Sequence, residues 1–165
     1  MLEESNVAYV LIGGHAVNTW LEPRFTGDID ITIQAGPGEV RRLGDLLAVH
    51  GYRVTREHGA TLPSGPDFVR FVSANDTLIL EVQMAKTEFQ GEVLRRAAAR
   101  HDGARVATPE DLIVMKLIAH RPKDRIDLLG LIALPGLDWS YVERWADEWQ
   151  VRDRLDALRV ESGVR

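Results

Sequence analysis

The sequence of 165 residues contains no cysteine. That excludes a disulfide scaffold, a thiolate zinc site, an iron–sulfur cluster and a cysteine nucleophile, and makes a cytoplasmic location the expectation. No apolar run approaches the roughly 18 residues that a membrane span requires. The first residues, MLEESNVAYV, are acidic rather than basic, so no secretory leader is expected. Internal repeats and low-complexity tracts are absent, as are a GxSxG elbow, a P-loop and a Rossmann fingerprint. His15, His50, His58, His101 and His120 show no pairing on one helix face of the kind that holds zinc. What is present is ordinary for a globular domain with a sizeable core: 45% apolar and 27% charged residues.

The net charge of −5 argues against a dedicated nucleic-acid coat protein. The balance is uneven, because the window Arg95–Arg125 holds eight basic and four acidic side chains. Either a polyanion docks there or it is a solvated, arginine-rich helix; the charge pattern alone does not choose.

The hydrophobic pattern predicts a mixed α/β part followed by a helical one. Val7–Ile12 reads as a buried strand ending in Gly13-Gly14, and His15–Leu21 as a helix stopped by Pro23. DIDITI alternates with period two, Asp28, Asp30 and Thr32 on one side and Ile29, Ile31 and Ile33 on the other. Glu39–His50 reads as an amphipathic helix; after Tyr52–Arg56 and a loop rich in Gly and Pro over 59–66, Asp67–Ser73 with Thr77–Gln83 reads as a hairpin. From Thr87 onward the pattern is helical. Thr108-Pro109-Glu110-Asp111 is a strong helix start, and two more helices are expected over Lys123–Leu131 and Asp138–Leu158. The expected organisation is an α/β core over residues 1–104, a short mixed sheet backed by helices, with a helical C-terminal segment over 105–165 packed on it. Trp139, Trp145 and Trp149 share an apolar helix face with Val142 and are expected to pack into the core, a partner or subunit contact being the alternative.

Three features carry chemistry when taken together. Gly13-Gly14 at a strand end lets backbone approach a ligand, and the N–H groups of a following helix favour phosphate. Asp28 and Asp30 project from one strand face with Cα atoms about 6–7 Å apart. Such a pair repels itself unless cations intervene, and it suits Mg²⁺ bridging to phosphate oxygens; the plain alternative is an acidic solvent face. Glu81 stands inside the apolar run Leu78-Ile79-Leu80-Glu81-Val82. There a carboxylate needs a metal or a base as partner, and it is placed to act as a general base if its strand lies beside Asp28 and Asp30. An edge-strand glutamate facing water is the alternative.

Gly13-Gly14, thirteen intervening residues and then Asp28-Ile29-Asp30-Ile31 resemble the signature of the DNA polymerase β-like nucleotidyltransferase superfamily. Gly13-Gly14-His15-Ala16-Val17, with Arg24 and Thr26 ahead of the acids, is similar to its AbiEii-type toxin branch. The resemblance implies that Asp28 and Asp30 hold two Mg²⁺ ions on a nucleoside triphosphate such as ATP and that Glu81 completes an acidic triad. It further implies that Gly13 and Gly14 pass backbone amides to the phosphates, with Arg24 and Thr26 beside them. Many members carry Ser after the first Gly and Arg a helical turn on, where this chain has Gly14 and Asn18; its third acid is Glu rather than the commoner Asp.

The helical segment adds Lys116, a single charge within Leu112–Ala119, which must snorkel or meet an anion. The series Lys116, Arg121, Lys123-Asp124, Asp127 is similar to a motif downstream of the triad in AbiEii-type enzymes. There the Lys neutralises triphosphate charge and the Asp, here Asp127, organises the site; a capped helix corner is the structural alternative. The function implied is Mg²⁺-dependent transfer of a nucleoside monophosphate to a hydroxyl on tRNA, protein or a small molecule, with a cognate antitoxin as a possible partner and no membrane. The alternative is a catalytically idle binding or regulatory module of the same fold.

Overall fold

Isoleucines on one side of DIDITI and acids on the other can be satisfied only by a strand with one dry face. The computed structural model builds a sheet around that strand, and it describes residues 7–34, 36–59, 65–99 and 103–164. In chain order the elements are β1 (Ala8–Ile12), α1 (Gly13–Trp20), β2 (Asp28–Gln34), α2 (Pro37–Val49), β3 (Tyr52–His58), β4 (Phe68–Ser73) and β5 (Ile79–Met84). Then come α3 (Glu88–Arg96), β6 (Ala98–Ala99), β7 (Arg105–Val106), α4 (Pro109–Ala119), α5 (Asp124–Ile132), α6 (Trp139–Glu148) and α7 (Arg152–Ser162). The mixed seven-stranded sheet has the order β3-β4-β5-β2-β1-β7-β6, with β2 parallel to β5 and antiparallel to β1. This is the expected α/β class.

Contacts divide the chain into two units. One comprises Met1–His15 and Arg24–Ala107 in their described parts, the other Ala16–Pro23 and Thr108–Arg165. Residues 105–107, assigned by sequence to the helical segment, lie in the sheet unit: Val106 pairs with Leu11, and the Ala107 amide donates to the Leu11 carbonyl.

In the sheet unit one face is dry. Ile31, Ile33, Val69, Phe71, Leu80, Val82 and Met84 pack with Leu43 and Leu47 of α2. The helix supplies these two leucines at i, i+4 spacing, the stripe expected of an amphipathic helix. The other face carries Asp28, Asp30 and Thr32, and it is not uniformly wet. Thr32 is fully buried and donates from Oγ1 to Gln83 Oε1 at 3.1 Å.

Two expectations are corrected here. Helix does not continue from Thr87 to the end, because the two-residue strands β6 and β7 intervene; pieces so short carry no periodicity to read. The helix expected over Asp138–Leu158 is two helices. Gln150 turns into the left-handed region (φ 55) and the Val151 amide donates to Ala146 O at 2.8 Å. The reversal lets Val151, Leu155 and Leu158 be buried as well as Val142, Trp145 and Ala146, which one straight helix with a drifting stripe does less well. Trp145 is core, Trp139 is overlaid by the Arg159 guanidinium at 4.2 Å, and Trp149 is exposed.

The helical unit is organised on α4. Thr108 and Asp111 cap it reciprocally, and the buried Asp111 also accepts from the Tyr141 hydroxyl at 2.6 Å. Leu112, Ile113, Val114 and Leu117 are fully buried, and Lys116 is only 4% exposed among them. Its ammonium lies 2.7 Å from Asp127 Oδ2 and 3.1 Å from Asp124 Oδ1, and Asp124 also accepts from Arg121 Nε at 2.7 Å. Burial disfavours the charge on Asp124, but hydrogen bonds from Arg121 and Lys116, with their charges, hold its carboxyl below the ordinary aspartate range. No helix among the described residues is long and apolar enough to cross a membrane.

Two outcomes follow from this cluster. Lys116→Ala removes the ammonium that bonds two buried carboxylates and is expected to lower unfolding free energy by about 3–5 kcal/mol in urea denaturation. A carboxyl held low in the folded state stabilises it above the ordinary aspartate pKa and loses that contribution as pH falls. The urea midpoint should therefore be level from pH 7 to about 5 and drop below about pH 4, with a shallower drop in Asp124→Asn.

Candidate functional site

The register of the sheet unit brings the sequence-chosen acids to one face. Asp30 pairs with Glu81 across the parallel β2–β5 ladder, and Asp28 pairs with Ile79. Paired residues on adjacent strands project to the same side, and so do residues two apart on one strand. Asp28, Asp30 and Glu81 thus occupy one patch, all partly exposed. The next strand adds a residue that sequence reading missed, since Arg70 of β4 is opposite Glu81. Its Nε donates to Glu81 Oε1 at 2.8 Å and its Nη2 also bonds that oxygen. The hydrogen bond and charge of Glu81, with smaller contributions from Asp28 and Asp30, raise the Arg70 pKa above its ordinary value against an opposing effect of burial. The signal for Arg70 was available: a lone cation alternating with Val69 and Phe71, which face the dry side.

The two glycines bound the patch. Gly13, in the left-handed region at φ +64, lies so close to Asp30 that an added Cβ would fall 2.0 Å from Asp30 Oδ2. A Cβ on Gly14 would fall 2.5 Å from Thr26 Oγ1. Both glycines are therefore required by close approach, and the departure from Ser at position 14 has a local reason: the Thr26 hydroxyl occupies that space. Arg24 is exposed, and its Nη1 donates to the carbonyl of Phe25 at 3.3 Å.

Glu81 adjoins Asp30 by register, but one of its oxygens is held by Arg70. Among the described residues no three His, Asp or Glu side chains are grouped to hold a metal ion by themselves. The carboxylates on this face are Asp28, Asp30 and Glu81, the last bonded through one oxygen to Arg70. Mg²⁺ is commonly held by one or two carboxylates, with waters and substrate phosphates completing its shell, so these residues fit that ion. Lys116 and Asp127, in the helical unit, are brought together with each other and with Asp124.

Comparison with known proteins bears on this geometry. A family model described as "Nucleotidyltransferase of unknown function (DUF6036)" matches residues 1–161. No curated protein matches the chain. Among solved structures, a crystal structure of ANT(2'')-Ia in complex with adenylyl-2''-tobramycin is similar at 17% identity and TM-score 0.60, covering 92% of this chain and 91% of that one. A solution structure of the antibiotic-resistance factor ANT(2'')-Ia is similar at 16% identity and TM-score 0.61, covering 99% and 91%. At such identities the likeness is one of fold, and it agrees with the mixed sheet and its flanking helices. The family match spans nearly the whole sequence, and the chain belongs to this family of nucleotidyltransferases.

Proposed function

We propose that the protein transfers a nucleoside monophosphate from a nucleoside triphosphate, ATP among the candidates, to a hydroxyl acceptor, with Mg²⁺ as its metal. The observation that carries this reading is the approach of Gly13 to Asp30, which sets a backbone turn directly against one of two aspartates on a single strand face. Carboxylate oxygens for a cation and amides for phosphate then converge on one spot. Two Mg²⁺ ions there would neutralise triphosphate charge and stabilise the entering and leaving oxygens.

In this reaction the acceptor oxygen forms a bond to the α-phosphorus, and the bond from that phosphorus to the pyrophosphate oxygen breaks. The hydroxyl proton passes to a base and pyrophosphate departs with the electron pair. Glu81 is the carboxylate assigned to the proton, and Arg70 fixes its position. Gly13, Gly14, Arg24 and Thr26 are assigned to the triphosphate. Lys116 and Asp127 are assigned to positioning within the helical unit, because the ammonium is already held by two carboxylates. The adenylylated product in the solved neighbour supports a reaction of this class. The AbiEii-like segment Gly13–Val17 supports a toxin–antitoxin setting, with a cognate antitoxin as protein partner and a cytoplasmic site of action. The ion pair of Arg70 with Glu81 favours a second reading, in which the module binds nucleotide without transfer.

The direct test incubates the protein with each of four α-labelled nucleoside triphosphates, Mg²⁺ and total RNA, protein or aminoglycoside. Label transfer is expected with at least one acceptor, reduced about a hundredfold or more in Asp28→Asn and Asp30→Asn. Nucleotide binding without labelling of any acceptor class would select the second reading. Gly13→Ala should be doubly affected. The left-handed backbone costs about 1–2 kcal/mol for a residue with a Cβ, and displacement of Asp30 should abolish transfer. Gly51→Ala, also at positive φ (+79) but with only Ala74 nearby, should lower the urea midpoint and leave transfer intact.

A further inference from the structure

The row that holds Asp30, Glu81 and Arg70 continues one strand further, to the sheet edge. In β3, Arg53 pairs with Val72 and Val54 with Phe71, and then the register shifts so that Arg56 is opposite Arg70. Thr55 is the extra residue of a β-bulge. Without it Thr55 would face Arg70, and Arg56 would pair with Val69 on the side of the dry core. The bulge re-aims Arg56 onto the face of the acids, a use to which bulges beside sites are put. The result is a cross-strand series of two carboxylates and two guanidiniums spanning three strand spacings, about 14 Å from Asp30 to Arg56.

Like charges directly opposite on adjacent strands are unfavourable. Glu81 offsets Arg70, but Arg56 is exposed and makes no ion pair among the described residues. Two residues along the same face, His58 is opposite Phe68, their rings 5.9 Å apart and tilted by 49°. Arg53, also on this face and exposed, bonds Asp76 at the hairpin turn. The β3 edge thus offers cations and an aromatic pair in sequence along the last strand of the sheet. A single small phosphate would use Arg56 and Arg70 alone. The ring pair beyond them suits a polymer that carries both phosphates and stacking bases.

We propose that Arg56 and Arg70 form a phosphate subsite at the β3 edge, and that the acceptor hydroxyl belongs to a single-stranded polynucleotide whose backbone lies along β3 with a base against His58 and Phe68. This rests on the nucleotidyl-transfer reading of the acids and names its acceptor. A polycationic acceptor such as an aminoglycoside would meet two guanidiniums at this edge, so the same feature disfavours it.

The test is fluorescence anisotropy of a labelled 12-nucleotide single-stranded oligoribonucleotide with the full chain, across a salt series. MgATP binding is measured in parallel by calorimetry. Wild type should bind with log K falling linearly in log salt. Arg56→Gln should bind at least about tenfold more weakly, with the slope reduced by about 0.7 for the lost phosphate contact. Arg56→Glu should be weaker again, and His58→Ala should bind about fivefold more weakly or worse at unchanged slope. Equal urea midpoints for the variants establish that the fold is kept. Failure of wild type to bind the oligonucleotide, wild-type binding by Arg56→Glu, or displacement of the oligonucleotide by equimolar inorganic phosphate would overturn the inference. Failure of wild type to bind MgATP would instead sink the transfer reading beneath it.

Discussion

Mutual repulsion among Asp28, Asp30 and Glu81 is the constraint on which the site depends. The β2–β5 register puts these carboxylates on one face. A sheet accepts such a patch only if cations are supplied to it. The fold supplies Arg70, which bonds Glu81 from the neighbouring strand. Asp28 and Asp30 lie beside a glycine turn that the Asp30 and Thr26 side chains approach too closely for a Cβ. A cation bound to phosphates would offset the remaining repulsion at this face.

The strand alternation that creates this patch also protects it. Every second residue of β2, β4 and β5 enters the core beneath α2, so the charged face rests on a layer of Ile31, Val69, Phe71, Leu80 and Val82. A one-residue slip would exchange the two sets completely. The helical unit solves the opposite problem. Its buried ions, Lys116 with Asp124 and Asp127, are joined by Arg121 on Asp124 and hold the corner between α4 and α5. The acids of the sheet unit are partly exposed, whereas the Lys116 cluster of the helical unit is buried.

The parts legible in the sequence were those fixed by neighbours in the chain. Alternation in DIDITI gave the strand and the facing of its acids, Thr108-Pro109 gave the start of α4, and Gly13-Gly14 marked a turn that only glycine tolerates. Residues whose role depends on register were not legible. Arg70 acquires its meaning from lying opposite Glu81, and Arg56 from a bulge at Thr55 that no local pattern announces. Lys116 was recognised as anomalous in an apolar helix, but whether its anion was a ligand or a neighbouring aspartate was a tertiary fact. The break at Gln150 lacks the glycine or proline that usually marks one, because burial of Val151 and Leu155 decides it instead.

The central claim, that Asp28 and Asp30 with the Gly13-Gly14 turn hold a metal–triphosphate, is tested most directly by paramagnetic broadening of the protein's amide resonances. Mn²⁺ would be titrated with a non-hydrolysable ATP analogue. The account predicts that the amides of Gly13, Gly14, Asp28 and Asp30 broaden first, and only when the nucleotide is present. Broadening centred elsewhere in the chain, or none at concentrations that saturate the analogue, would contradict it.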